Sequence, residues 1–127
     1  MKPRLLADEN TSHHLISACR RLRADFPIEH IATARVRWLG MNDDDLLDAC
    51  LPAGCVLVAH DRRTLADAAG RASRYRSGHA GLILFRRFIR QSDFGAQSRA
   101  LCKLWDEAAS WDWRNRIVYI PIKTPTL

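Results

Sequence analysis

Carboxylates follow two short apolar runs of this chain. The run at 5–7 leads directly into Asp8 and Glu9, and the run at 55–59 is followed closely by Asp61. A buried parallel strand delivers the residues after it to the carboxyl edge of its sheet, where open α/β folds keep their chemistry. Two carboxylates side by side at that edge would attract a divalent cation, since hard cations prefer oxygen ligands. The spacing therefore predicts a metal centre that includes Asp8 and Asp61.

A third acidic group begins a predicted helix on the same edge. Asn42 followed by the aspartates at 43–45 is typical of a helix cap and an acidic first turn. We therefore expect either Asp43 or Asp44 to join the other two carboxylates. Each acid alone is also explained as a helix cap, but three converging carboxylates require a neutralising cation or basic partner.

The elements that must position these acids follow from the apolar pattern. Strands are predicted at about 3–7, 28–34, 55–59, 81–85 and 117–120. Helical spacing of apolar residues marks the segments between them: Leu15, Ile16, Cys19 and Leu22; Leu46 and Leu47; Leu65, Ala68, Ala69, Ala72 and Tyr75; Phe94, Leu101, Leu104, Trp105 and Ala108. This alternation predicts one α/β domain over residues 1–127, a three-layer α/β/α sandwich with a mainly parallel five-stranded sheet.

Composition is ordinary for a single globular domain, with 127 residues, 47% of them hydrophobic and 27% charged. The apolar runs are shorter than the roughly 20 residues that cross a membrane, so we expect no membrane contact and a cytoplasmic location. The cysteines are predicted to be buried thiols, because they lie in or beside apolar runs without metal-ligand spacing: Cys19, Cys50, Cys55 and Cys102.

Positive charge on the chain comes almost entirely from arginine. Lysine plus arginine number 20 against 14 acidic residues, for a net charge of +6. A basic surface around a small acidic cluster suits a protein that cuts phosphodiesters, because cations hold the polyanion while carboxylates hold a metal. The scattered arginines are equally compatible with a purely solubilising role.

Four motifs together resemble the PIN-like domain family, small bacterial and archaeal proteins related to VapC-type toxins. The motifs are Leu-Leu-Ala-Asp-Glu-Asn at 5–10, Gly-Met-Asn-Asp-Asp-Asp-Leu-Leu at 40–47, Val-Leu-Val-Ala-His-Asp at 56–61 and Gly-Leu-Ile-Leu at 81–84. The resemblance implies a Mg²⁺- or Mn²⁺-dependent ribonuclease, the toxin of a toxin–antitoxin pair, with RNA and a cognate antitoxin as partners. It assigns metal binding to Asp8, Asp43 and Asp61.

Further roles are expected around this centre. Glu9 would order metal-bound water, and Asn10 or Thr11 could steady a phosphate oxygen at the start of the first helix. The side chains of Arg62 and Arg63 would hold the flanking RNA backbone.

The chain also departs from the family pattern. Ala59, Arg63 and Thr64 stand where the family tends to have a hydroxyl residue, a second acid and an aromatic, and Asp93 is the candidate for a later fourth acid. A catalytically degenerate relative that binds RNA or an antitoxin is therefore an alternative.

A phosphoacceptor receiver domain is a second alternative. Asp8 with Glu9, Asp61 and Lys123 imitate its acidic pair, acceptor and lysine. Against it, Arg86 follows the fourth strand in place of a small hydroxyl residue, and the motif at 40–47 has no role there.

The cluster of Trp105, Trp111 and Trp113 is expected in the core, with an antitoxin or homodimer contact as the alternative.

Overall fold

The computed structural model describes residues 3–122 of the chain. Five strands form one sheet in the order β2-β1-β3-β4-β5, and every adjacent pair is parallel. The elements are β1 (Arg4–Ala7), α1 (His13–Leu22), β2 (Ile28–His30), α2 (Ile31–Ala34), a 3-10 turn (Val36–Trp38), α3 (Asp43–Ala53), β3 (Cys55–His60), α4 (Arg63–Tyr75), β4 (Leu82–Phe85), α5 (Phe94–Ala108) and β5 (Ile117–Ile120). The predicted α/β/α sandwich is confirmed. Among these helices, none combines the length and apolar character needed to span a membrane.

Helices cover both faces of the sheet, which explains why its central strands are almost continuously apolar. Alternate residues of β3 point to opposite faces: Val56 and Val58 pack with α1 and α5, whereas Leu57 and Ala59 pack with α3 and α4. Leu84 of β4 joins the α3 and α4 side. Both faces are therefore buried, and chemistry is confined to the ends of the strands.

Strands β1 and β3 are neighbours, and the chain leaves β1 toward β2 on one side of this pair but leaves β3 toward β4 on the other side. In doubly wound folds, ligands bind in the crevice at such a switch point, outside the carboxyl ends of the strands. This strand order is the flavodoxin-type order, which receiver domains also have, and it does not separate the alternatives raised by the sequence. It does place Asp8 at the switch point.

The second strand is shorter than predicted. Only Ile28–His30 is extended, and the predicted continuation at 31–34 is the helix α2. The His30 imidazole accepts a hydrogen bond from the backbone nitrogen of Ala32 at 3.0 Å, which caps the new helix. The prediction for 31–34 was wrong. The β-branched residues there favour a strand locally, but the cap from His30 starts a helix at Ile31 and so ends β2.

Two of the apolar positions used in the helix patterns are exposed. Leu22 at the end of α1 is 52% exposed, and Tyr75 at the end of α4 is 78% exposed. Each is the last residue of its helix. The other predicted core positions of α1 and α4 are buried.

Cysteines and tryptophans mostly take the predicted core positions. All four cysteines are free and buried, and burial raises the pKa of the thiols of Cys19 and Cys50 to about 12. Trp105 and Trp113 are buried, with ring centroids 5.5 Å apart. These thiols are therefore protonated at neutral pH, and the paired indoles help to attach α5 to the sheet.

Gly81 precedes β4 in a conformation that other residues rarely adopt. Its φ is +119°, and an added Cβ would lie 3.0 Å from both the side chain and the carbonyl oxygen of Trp113. We expect Gly81→Ala to lower the free energy of unfolding by about 2 kcal/mol, because backbone strain and crowding act together. Urea denaturation measures the change.

Gly54 provides the matched control, since its φ is +67° and nothing lies within 4 Å of an added Cβ. Gly54→Ala carries backbone strain alone and should cost about 1 kcal/mol. Equal losses for the two variants would contradict the crowding by Trp113.

Candidate functional site

Asp8 follows β1 and is buried at the switch point. Its backbone nitrogen donates to the Val58 carbonyl at 3.1 Å, which continues the pairing of β1 with β3. The carboxylate has two partners: the Thr11 hydroxyl donates to Oδ1 at 2.7 Å, and Nη1 of Arg62 donates to Oδ2 at 2.6 Å. Because its side chain is only 2% exposed, Asp8 depends on these partners for compensation of its charge.

Arg62 joins Asp8 to a second acid. Its Nη2 donates to Oδ1 of Asp43 at 2.7 Å, so one planar guanidinium bridges two carboxylates. Burial alone would lower the pKa of Arg62, but the hydrogen bonds to Asp8 and Asp43 outweigh it and the pKa is raised. Asp8 and Asp43 therefore converge on a single cationic group, which belongs to the protein itself.

The structure distinguishes Asp43 from its neighbour Asp44. Asn42 caps α3, accepting from the backbone nitrogen of Asp45 at 2.8 Å, as predicted. In the first turn of α3, the Asp43 carboxylate binds Arg62 at the edge of the sheet, whereas the Asp44 carboxylate binds Arg71 on α4 at 3.0 Å. The hydrogen bond from Arg71 holds the pKa of Asp44 below its usual range. Asp44 therefore links two helices.

Asp61 lies farther out along the same edge. Ala7 is in register with Val58, which sets Asp8 level with Ala59, and Asp61 comes two residues later. Two residues of strand correspond to roughly 6.6 Å. The Asp61 carboxylate lies 3.5 Å from Nε of Arg87, in the loop after β4. It therefore does not share the guanidinium that holds the other two acids.

The donors at this edge suit Mg²⁺ or Mn²⁺ in their chemistry, since two carboxylates and a hydroxyl are hard oxygen ligands. Over residues 3–122, however, no group of three or more histidine, cysteine, aspartate or glutamate side chains is arranged to hold a metal. The guanidinium of Arg62 bonds both converging acids. Asp8 and Asp43 fit a cation, but here that cation is an arginine.

The remaining candidates take varied positions. Glu9 accepts a hydrogen bond from the Gly40 backbone nitrogen at 3.3 Å, tying the loop before α3 to the edge. Arg63 is exposed and lies 3.7 Å from Asp67 on its own helix. Asp93 caps α5, accepting from a backbone nitrogen at 3.0 Å. Asn10 is exposed.

Adjoining cavities run along the carboxyl edge. The largest, about 580 Å³, is lined by polar and imidazole groups, including those of Asn10, Thr11, His14, His30, His60 and Gln91. A second of about 340 Å³ shares Asn10, His60 and Gln91 with the first and adds Asp61 and Arg62. A third of about 370 Å³ shares Asp61 and continues to Arg86, Arg87, Phe88 and Tyr119. We call these cavities together the edge groove.

The loop after β4 supplies groove residues that the sequence analysis did not single out as site residues. Arg87 and Phe88 are largely exposed there, and the Arg86 guanidinium lies over the Tyr119 ring, 5.6 Å from its centroid. The signal available in the sequence was the run Arg-Arg-Phe directly after an apolar strand. Because loops lack periodicity, that run did not predict a direction for its side chains.

Two histidines at the groove are held in defined states. His30 accepts from Ala32 at Nδ1, so its Nε2 carries the proton and donates to the Thr11 carbonyl oxygen at 2.6 Å. Burial lowers the pKa of His60, and the nearby Asp8 carboxylate only partly offsets this. The shift favours the neutral form of His60, and Arg62, Arg86 and Arg87 bring positive charge to the groove.

The lysine assigned to a receiver-type reading, Lys123, lies outside the described residues. No protein-family model, no curated protein and no solved structure matches this chain.

Proposed function

We propose that the protein is a metal-dependent ribonuclease of PIN-like type, acting in the cytoplasm as the toxin of a toxin–antitoxin pair. One observation carries the catalytic part of this proposal: Asp8 and Asp43 converge on a single cation position at the switch point of a parallel sheet. The toxin role and the antitoxin partner rest on the sequence motifs alone.

RNA is the substrate class that best suits the edge groove. The chain carries a net charge of +6, and Arg87 and Phe88 are exposed beside the groove. Single-stranded nucleic acids bind such surfaces through phosphate contacts and base stacking on aromatic rings. Arg62, Arg86 and Arg87 line the second and third cavities of the groove, where they could bind phosphate groups.

Asp8 and Asp43 are the residues that would hold Mg²⁺ or Mn²⁺. When bound, such an ion activates water and neutralises charge on the phosphate during hydrolysis. The Thr11 hydroxyl orients the Asp8 carboxylate through its hydrogen bond. The guanidinium of Arg87 would bind an adjacent phosphate. Asp61, two residues farther along the same edge, would add negative charge beside the ion.

RNA binding without cleavage is the second candidate function. It is favoured by the guanidinium that bonds both Asp8 and Asp43 and by the separate position of Asp61. In this reading the groove retains its phosphate contacts and the acids serve only to hold Arg62.

Incubation of the purified protein with structured and single-stranded RNAs tests the two candidates. We expect cleavage with Mg²⁺ or Mn²⁺ and none when EDTA removes the metal. Fluorescence anisotropy with the same RNAs, over a range of salt concentrations, measures binding separately. Salt-sensitive binding without cleavage in any metal would establish the second candidate, and failure to bind RNA would exclude both.

A further inference from the structure

The guanidinium of Arg62 occupies the position between Asp8 and Asp43, where the proposed metal would bind. Both hydrogen bonds from Arg62 are short, at 2.6 and 2.7 Å, and they go to one carboxylate oxygen of each acid, Oδ2 of Asp8 and Oδ1 of Asp43. The remaining Oδ1 of Asp8 accepts from Thr11. The guanidinium lies between the two carboxylates, so a metal ion shared by the same two acids would compete with it for that position.

Arg62 is more accessible to solvent than the acid that it binds. Its side chain is 30% exposed, whereas that of Asp8 is 2% exposed, so the arginine reaches solvent without movement of the strand. Arg62 is the residue immediately before α4, and its side chain makes no capping hydrogen bond to that helix. Its guanidinium also lines the edge groove, where an RNA phosphate would be an alternative partner.

We propose that Arg62 is an intramolecular competitor for the metal: a divalent cation binds Asp8 and Asp43 only when the guanidinium has moved away. The inference rests on the proposed metal-dependent function. Arg62 then acts as a regulatory group of the same site, keeping the carboxylates neutralised while no metal is bound. A phosphate that binds the guanidinium would favour metal binding, and by thermodynamic linkage metal would favour phosphate binding.

Manganese binding to variants tests the competition without reliance on cleavage. The dissociation constant is measured by electron paramagnetic resonance of free Mn²⁺ for the wild type, Arg62→Met and Arg63→Met. We expect Arg62→Met to bind Mn²⁺ at least about 10-fold more tightly, the range of typical coupling energies. Arg63→Met, the neighbouring exposed arginine, should stay within about twofold of the wild type. Mn²⁺ should also raise the melting temperature of Arg62→Met more than that of the wild type.

The acids provide the internal check. Adding Asp8→Asn to Arg62→Met should remove the gain in affinity. Should Arg62→Met fail to fold, Arg62→Lys replaces it, because an ammonium cannot span both carboxylates as a guanidinium does, and the affinity should again rise. Unchanged affinity after loss of Arg62, or a gain that survives Asp8→Asn, would overturn the inference.

Failure of this inference and of the proposed function remain distinguishable. Tighter Mn²⁺ binding without RNA cleavage by any of the proteins would retain the competition and remove the nuclease. Metal-dependent cleavage with equal Mn²⁺ affinities would retain the nuclease and remove the competition.

Discussion

Asp8→Asn and Asp43→Asn should each reduce metal-dependent RNA cleavage by at least about 100-fold, since even partners that only orient metal ligands contribute 10- to 100-fold. Both substitutions preserve side-chain volume while removing the charge that holds a cation. Initial rates with a fluorescent RNA at saturating Mn²⁺ measure the effect. Circular dichroism verifies that the variants are folded.

Asp44→Asn is the matched control for this experiment. Asp43 and Asp44 occupy the same acidic helix start, but Asp43 faces the switch point and Asp44 binds Arg71. Cleavage by Asp44→Asn should remain within about threefold of the wild type, because exposed ion pairs contribute less than about 1 kcal/mol. Loss of activity in Asp44→Asn with retention in Asp43→Asn would contradict the site as described.

Arg62→Met should lower the free energy of unfolding by about 3 kcal/mol in the absence of divalent metal. Over residues 3–122, the substitution leaves the buried Asp8 carboxylate with the Thr11 hydroxyl as its remaining side-chain partner. Removal of one member of a buried pair is costly because the other charge is left uncompensated. Urea denaturation in EDTA measures the loss.

Arg63→Met is the control for stability as well. Arg63 is 88% exposed in its side chain, and its ion pair with Asp67 is long at 3.7 Å. Its replacement should change the unfolding free energy by less than about 0.5 kcal/mol. If the two adjacent arginines proved equally dispensable, the bridge between Asp8 and Asp43 would have no energetic role.

Much of the fold could be predicted because its determinants are local. The apolar runs of β3 and β4 predict buried parallel strands, and Asn42 with its acidic successors predicts the start of α3. The prediction of a strand over 28–34 was wrong in its second half. There, local propensity competes with a side-chain cap from His30, which apolar patterning does not detect.

The candidate site was predictable only in part, because its details depend on contacts between distant residues. The sequence predicts that the carboxylates lie at one edge of the sheet. How far Asp61 lies beyond Asp8 along that edge depends on the register of β1 with β3, which the sequence does not give. The pairing of Arg62 with Asp8 joins residues 54 positions apart. Arg62 was expected to hold RNA, and that role stays a prediction, while its bond to the two acids came only from the structure.

Ion pairs between the α3 and α4 regions restrict how Asp43, at the start of α3, and Arg62, just before α4, can separate. Arg76, the residue after α4, binds both Asp44 and Asp48 of α3. Leu47 of α3 and Leu65 of α4 belong to the same buried cluster, so the two helices are held together by ion pairs and by apolar packing. Separation of Asp43 from Arg62 by a movement of helices would break all of these contacts. Rotation of one partly exposed side chain breaks none of them and takes picoseconds to nanoseconds once the ion pair has dissociated. The exchange of guanidinium for another cation would therefore be a side-chain event on a rigid frame, with no microsecond domain motion to limit its rate.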